Sequence, residues 1–156
     1  MKTVLCYGDS LTFGADPEGG RHAYEDRWPS RLAAGLGNGV RVIAEGLGGR
    51  TTAFDDFSGA ADLNGASILP VILKSHQPLD AVVTMLGTND LKPYTANGAI
   101  GAAMGMKRLI QIVQCFPFDH QDSAPRVVVV SPPLAVATDH AELQPMFEPV
   151  LGEASR

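Results

Sequence analysis

Residues 7–14 read YGDSLTFG and follow the apolar run TVLC at 3–6. A short continuous apolar run that breaks on glycine reads as a strand covered on both faces, with the chain leaving it at Gly8-Asp9. The same pattern recurs at VRVIAE (40–45), DAVVTML (80–86) and RVVVVS (126–131), the last closed by Pro132-Pro133. Between these runs lie helix-type segments: RWPSRLAAGLG (27–37), NGASILPVILKSHQ (64–77) and ANGAIGAAMGMKRLIQIVQCF (96–116). Asn64 is placed as an N-cap, and Pro70 either kinks its helix or marks the true first turn. In the third helix Ile100, Met104, Leu109 and Val113 recur at roughly helical spacing. Strands alternating with helices predict an α/β fold with a parallel sheet and right-handed crossovers. Segment 117–125 reads as a polar surface loop, and MFEPVLGEASR (146–156) as the start of a helix.

The 156 residues fit one domain, 45% hydrophobic and 19% charged. A formal net charge of −5 leaves no basic stripe for phosphates, so nucleic acid is not an expected partner. No apolar run approaches the roughly 20 residues that span a bilayer, and the one after Lys2 breaks too soon for a signal peptide. These readings predict a cytoplasmic protein with no membrane partner. Cys6 and Cys115 have no motif spacing and are expected to be buried free thiols. No CxxC, HExxH or EF-hand pattern occurs, so no metal site is suggested.

Three loops follow the first three strands: YGDSLTFG, GLGGRTT and LGTNDLK. In an open α/β sheet such loops converge on one crevice at the carboxyl ends of the strands. Taken singly, each has an ordinary reading. Ser10 is a turn or N-cap residue, or a nucleophile. Gly48-Gly49 allows a tight turn, or leaves a backbone N–H open to the crevice. Arg50 beside them reads as a surface or structural ion-pair residue. Asn89 caps a turn, or donates its amide to a developing oxyanion; Asp90 holds the loop. Taken together they supply a hydroxyl, an open backbone amide and a side-chain amide at equivalent strand ends, which is what acyl transfer requires.

The chain resembles the SGNH/GDSL hydrolases. Gly8-Asp9-Ser10-Leu11 matches the serine block, Gly49 before Arg50-Thr51-Thr52 the glycine block, and Gly87-Thr88-Asn89-Asp90 the G-x-N-D block. EGLGGRTT, LNGASILP, MLGTND and VVSPPLA look like the arylesterase/acyltransferase, perhydrolase-like subgroup. The resemblance implies a flavodoxin-like three-layer α/β/α fold and ester hydrolysis without a cofactor. It also implies acyl transfer to alcohols or peroxide, and homo-oligomers. Ser10 would be the nucleophile, with Ser10 N–H, Gly49 N–H and the Asn89 side chain around the oxyanion; Asp9 and Asp90 would support them.

A serine hydroxyl needs a base to take its proton. The family supplies it as histidine in a D-x-x-H block, the aspartate orienting the ring. None of the four histidines here (His22, His76, His120, His140) has an aspartate three residues before it. His120 and His76 are expected at the wrong end of the sheet, His22 in the first long loop, and His140 after the fourth strand at the correct edge. The expectation is therefore a C-terminally incomplete domain, its last strand, helix and His-bearing loop lying about 50–60 residues further on. That part would be supplied from outside residues 1–156, as a second polypeptide carrying the C-terminal part of the same fold after a nick, or be lost by deletion or truncation of the gene. This chain alone is then expected to be inactive. The alternative is a catalytically silent α/β binding or assembly domain. Loops 15–26 and 53–63, with Tyr24, Phe54 and Phe57, are expected to rim the pocket of a small ester, and Trp28 to be a packing anchor.

Overall fold

The computed structural model describes residues 1–141 and 143–147. Four strands, β1 (Lys2–Gly8), β2 (Val40–Gly46), β3 (Ala81–Met85) and β4 (Arg126–Val129), pair in parallel in the order β2-β1-β3-β4. Four α-helices accompany them: α1 (Ser10–Phe13), α2 (Trp28–Leu36), α3 (Gly65–His76) and α4 (Ala99–Cys115). The strands and helices expected up to residue 131 all form, their ends shifted by at most three residues. The strand order is the flavodoxin-like doubly wound one.

Register sets the site. Gly8 pairs with Gly46 on one side and Met85 on the other, so β1, β2 and β3 end level. The three loops therefore leave the same edge at the same height. Two glycines are required there because α1 packs directly on the strand ends. A Cβ on Gly46 would lie 2.6 Å from Phe13 Cα and 2.5 Å from Thr12 C, and one on Gly8 would lie 2.7 Å from Met85 O.

One face of the sheet carries Leu5, Tyr7 and Val82, which pack with Leu69 and Leu73 of α3 and Leu109 and Val113 of α4. Side chains alternate across a strand, so Val42 and Ala44 face the other side, where they share a cavity wall with Ala33 of α2. Helices thus cover both faces. The cover ends at β4, where Val128 and Val129 are each 47% exposed. Asn64 Oδ1 accepts from Ala66 N and Ser67 N and caps α3 as its sequence position predicts.

Three expectations are corrected. Pro70 does not mark the first turn of α3: it lies inside the helix, with the core residues Leu69 and Leu73 on either side. Ile100 and Met104 are 83% and 62% exposed, and the buried stripe of α4 is Gly105, Leu109 and Val113. The step from 104 to 109 is five residues, which turns a helix by about 140° rather than the 40° of a four-residue step. Cys115 is exposed rather than buried, because it lies two residues past Val113 on the far side of the helix; Cys6 is buried in β1. Of the helix expected over 146–156, residues 146 and 147 lie in a helical stretch at 144–147, and the rest of that expectation falls outside the described residues.

Candidate active site

Ser10 is the first residue of α1, a single helical turn held at both ends. Asp9 is its N-cap, and Asp9 Oδ1 accepts from Leu11 N at 3.0 Å. Gly14, in the left-handed conformation, closes the turn through its N–H to Ser10 O at 2.9 Å. On the buried side Trp28 Nε1 donates to Thr12 Oγ1 at 3.3 Å, so Trp28 anchors the turn. Ser10 itself is half-buried. Its N–H, at the first helical position, has no intrahelical acceptor.

Asp9 is 1% exposed, and its Oδ2 has no partner among the described residues. Burial pushes its carboxyl up to about 6, against the bond from Leu11.

The loop after β2 opens with Leu47 N donating to Gly8 O at 3.1 Å, and Arg50 N then closes a four-residue turn on Leu47 O at 3.1 Å. The third residue of that turn is Gly49, with φ at +83°. A type II turn demands positive φ at this position, and hence glycine. The turn leaves the Gly49 N–H outside the loop's own hydrogen bonding.

The loop after β3 enters a short 3-10 turn at Asn89–Leu91. Asn89 is 7% exposed, and one N–H of its amide donates to Arg50 O at 3.1 Å. An amide nitrogen carries two hydrogens, so one remains for another acceptor. The residues that the sequence brought forward as oxyanion donors are thus joined in pairs: loop 47–50 to the end of β1 through Gly8 O, and Asn89 to the residue after Gly49.

Arg50 is not at the surface, and it forms no ion pair among the described residues. It is 4% exposed, its Nη1 donates to Gly8 O at 2.9 Å and Glu45 O at 2.5 Å, and its guanidinium carbon lies 4.3 Å from the Tyr7 ring centroid. Burial lowers its pKa. Asp90 is fully buried and takes Thr52 N at 3.0 and 3.1 Å, with Thr52 Oγ1 as a further donor. Burial raises its pKa, opposed by the Thr52 bonds.

Sequence reasoning passed over Asp56 and Lys92. They form an ion pair at 3.0 Å whose side chains are 0% and 7% exposed, and so tie loop 53–62 to the loop carrying Asn89. Burial acts to raise the Asp56 pKa, but the bonds from Ser58 and Lys92 outweigh it and the net direction is down. The signal available was an Asp and a Lys in two loops at the same sheet edge, which is no signal until the fold is known. Tyr24 and Phe57, expected at the pocket rim, are 70% and 91% exposed.

Two of the four histidines are paired with carboxylates, and a third is bonded through its main chain. His22 Nδ1 lies 3.4 Å from Asp16 Oδ2, His76 Nε2 lies 2.8 Å from Glu45 Oε1, and the His140 main chain bonds to Thr138 Oγ1. Among the described residues, no histidine is hydrogen-bonded to Ser10, and no helix is long and apolar enough to cross a membrane.

Residues 6–155 match the GDSL-like lipase/acylhydrolase family. A carbohydrate acetylesterase family member from Sinorhizobium meliloti is similar in structure, with TM-score 0.94 and 47% identity over 99% of this chain and 74% of that one. The aryl esterase of M. smegmatis gives TM-score 0.86 and 42% identity over 95% of this chain and 72% of that one. A carbohydrate acetylesterase from Sinorhizobium meliloti, Est24, gives 0.86 and 41% over 94% and 71%. No curated protein matches the chain. A parallel sheet in this strand order, a serine on a capped turn at its carboxyl edge, and these matches define the class: an SGNH-type α/β hydrolase. The chain belongs to the GDSL-like lipase/acylhydrolase family.

Proposed function

We propose that the chain carries the nucleophile and oxyanion hole of a serine esterase for small acyl esters. Ser10 Oγ attacks the acyl carbonyl, and its proton passes to a base. The carbonyl oxygen takes up the electron pair of the C=O π bond and is received by Ser10 N–H, Gly49 N–H and the free N–H of Asn89. Collapse of the tetrahedral intermediate expels the alcohol and leaves an acyl-serine. Water then releases the acid, or an alcohol or peroxide takes the acyl group in transfer. No step calls for a cofactor. The observation carrying this reading is the hydrogen bond from Asn89 to Arg50 O, next to a Gly49 whose N–H the turn leaves unused.

The base is proposed to be a histidine oriented by an aspartate, both from outside residues 1–156. Two observations support this. His22 and His76 are already paired with Asp16 and Glu45. A groove of about 790 Å³ runs beside the Asn89 loop, walled by Leu86, Gly87, Met106, Ile110, Val129 and Pro132, as a seat for a further strand and helix.

The test is turnover of p-nitrophenyl acetate by the natively purified enzyme. Asn89→Ala should lower kcat about 10²–10³-fold, the usual loss for one oxyanion donor; an unchanged rate refutes the assignment. A fluorophosphonate probe should label Ser10 stoichiometrically. Native protein that takes no label is the silent binding domain instead.

A further inference from the structure

We propose that Arg50 is the positioning residue that sets the three oxyanion donors relative to one another; this rests on the reading of Ser10, Gly49 and Asn89 given above. Arg50 reaches all three strand ends and their loops. Its Nη1 uses both hydrogens, one on Gly8 O and one on Glu45 O, at 2.9 and 2.5 Å. Those carbonyls belong to the last residue of β1 and the last but one of β2, the strand ends from which the Ser10 and Gly49 loops depart. Its main-chain N–H closes the turn that gives Gly49 its positive φ. Its main-chain carbonyl receives Asn89 from the third loop at 3.1 Å. The guanidinium plane is fixed in turn by the Tyr7 ring, whose hydroxyl donates to Gly65 O at 2.8 Å.

The chemistry requires this residue type. One planar nitrogen that donates in two set directions spans two carbonyls, while the flat face of the group rests on an aromatic ring. A lysine ammonium has the charge but not the fork. The bond to Asn89 also settles which way that amide faces. With Nδ2 held on Arg50 O, the second N–H is fixed in direction; without it the amide is free to rotate and present its oxygen to an oxyanion. Oxyanion donors act only when held within about 0.5 Å of the productive place.

The test is Arg50→Lys, which keeps the charge and loses the fork. The expected result is a folded protein in which kcat for p-nitrophenyl acetate falls about 10–100-fold, as for loss of other supporting contacts. KM should change less than about twofold. Heteronuclear NMR on substrate-free protein gives the second readout. In the wild type the Asn89 side-chain amide hydrogens should exchange with solvent far more slowly than those of the exposed Asn38 and Asn97. In the variant that protection should be lost. A folded Arg50→Lys protein with full kcat overturns the proposal, as does a wild-type Asn89 amide that exchanges like Asn38. The wild-type exchange measurement needs no variant, and its comparison with the variant needs no turnover. It judges Arg50 even if Asn89→Ala proves silent in catalysis, an outcome that would count against the oxyanion reading instead.

Discussion

Asp9→Asn isolates the electrostatic cost of the residue before the nucleophile. Asp9 is 1% exposed, and burial holds its carboxyl at about 6 against an ordinary 3.8. At 1.36 kcal/mol per tenfold change, this difference is about 3 kcal/mol between charged and neutral forms. The sign follows from proton counting. Between about pH 4 and 6 the folded protein binds a proton at Asp9 that the unfolded chain has already released. Stability from this group therefore falls as pH rises through that window, and the full penalty is present above it. Asparagine keeps an oxygen for Leu11 N and carries no charge. The variant should thus match the wild type near pH 4, apart from a constant offset, and gain on it by about 3 kcal/mol by pH 7. Guanidinium denaturation of both proteins at several pH values from 4 to 7 measures the gap. A gap that stays constant within about 0.5 kcal/mol refutes the argument, because Asp9 would then titrate alike in both states. Asp56, whose pKa is lowered, is common to both proteins and cancels; the charge of Asp90, which helps to raise Asp9, is part of the penalty that the gap measures.

Lys92→Met should destabilise by about 3–5 kcal/mol, since it leaves Asp56 buried without its cation. The double variant with Asp56→Leu should recover much of that loss in denaturation midpoint; a loss that simply adds would show that the pair is not coupled. Gly46→Ala places a methyl against the Phe13 and Thr12 backbone. It should cost about 1–3 kcal/mol or more and lower the rate of Ser10 labelling, because the turn bearing Ser10 must move; wild-type melting and labelling would show that α1 does not rest on β2.

The fold was legible because the strands are continuous apolar runs. The runs close on Gly8, Gly46 and Met85, and three strand ends in register define one edge. The faces of the helices were less legible: Ile100 and Met104 satisfied an apolar count while the five-residue step to Leu109 carried them off the core. At the site, residue types and spacing picked out Ser10, Gly49 and Asn89, but not what holds them. Arg50 looked like a surface cation because arginine usually is one. Its two acceptors are backbone carbonyls, which every sequence contains everywhere. The Asp56–Lys92 pair joins residues 36 apart that share no motif.

That hidden layer has a common logic. Asp9, Arg50, Asp56, Asp90 and Lys92 are all 6% exposed or less, and all lie at one sheet edge. Burying so many ionisable groups is a poor way to stabilise a core. Four of the five bind main chain: Asp9 to Leu11 N, Arg50 to Gly8 O and Glu45 O, Asp56 to Ser58 N, Asp90 to Thr52 N. Two of the three proposed oxyanion donors are main-chain N–H groups, one at the start of the single turn α1 and one in the loop after β2, and no ladder of sheet or helix bonds holds either in place. Side chains that clamp backbone are the available means of fixing such groups. A charged side chain makes the stronger clamp, because hydrogen bonds to ionised groups are roughly twice as strong as neutral ones. The stability lost to burial is therefore tied to the rigidity of the loops rather than incidental to it. Asp9→Asn should separate the two: it removes the charge, keeps the acceptor for Leu11 N, and should raise stability at pH 7 while loosening the turn that carries Ser10.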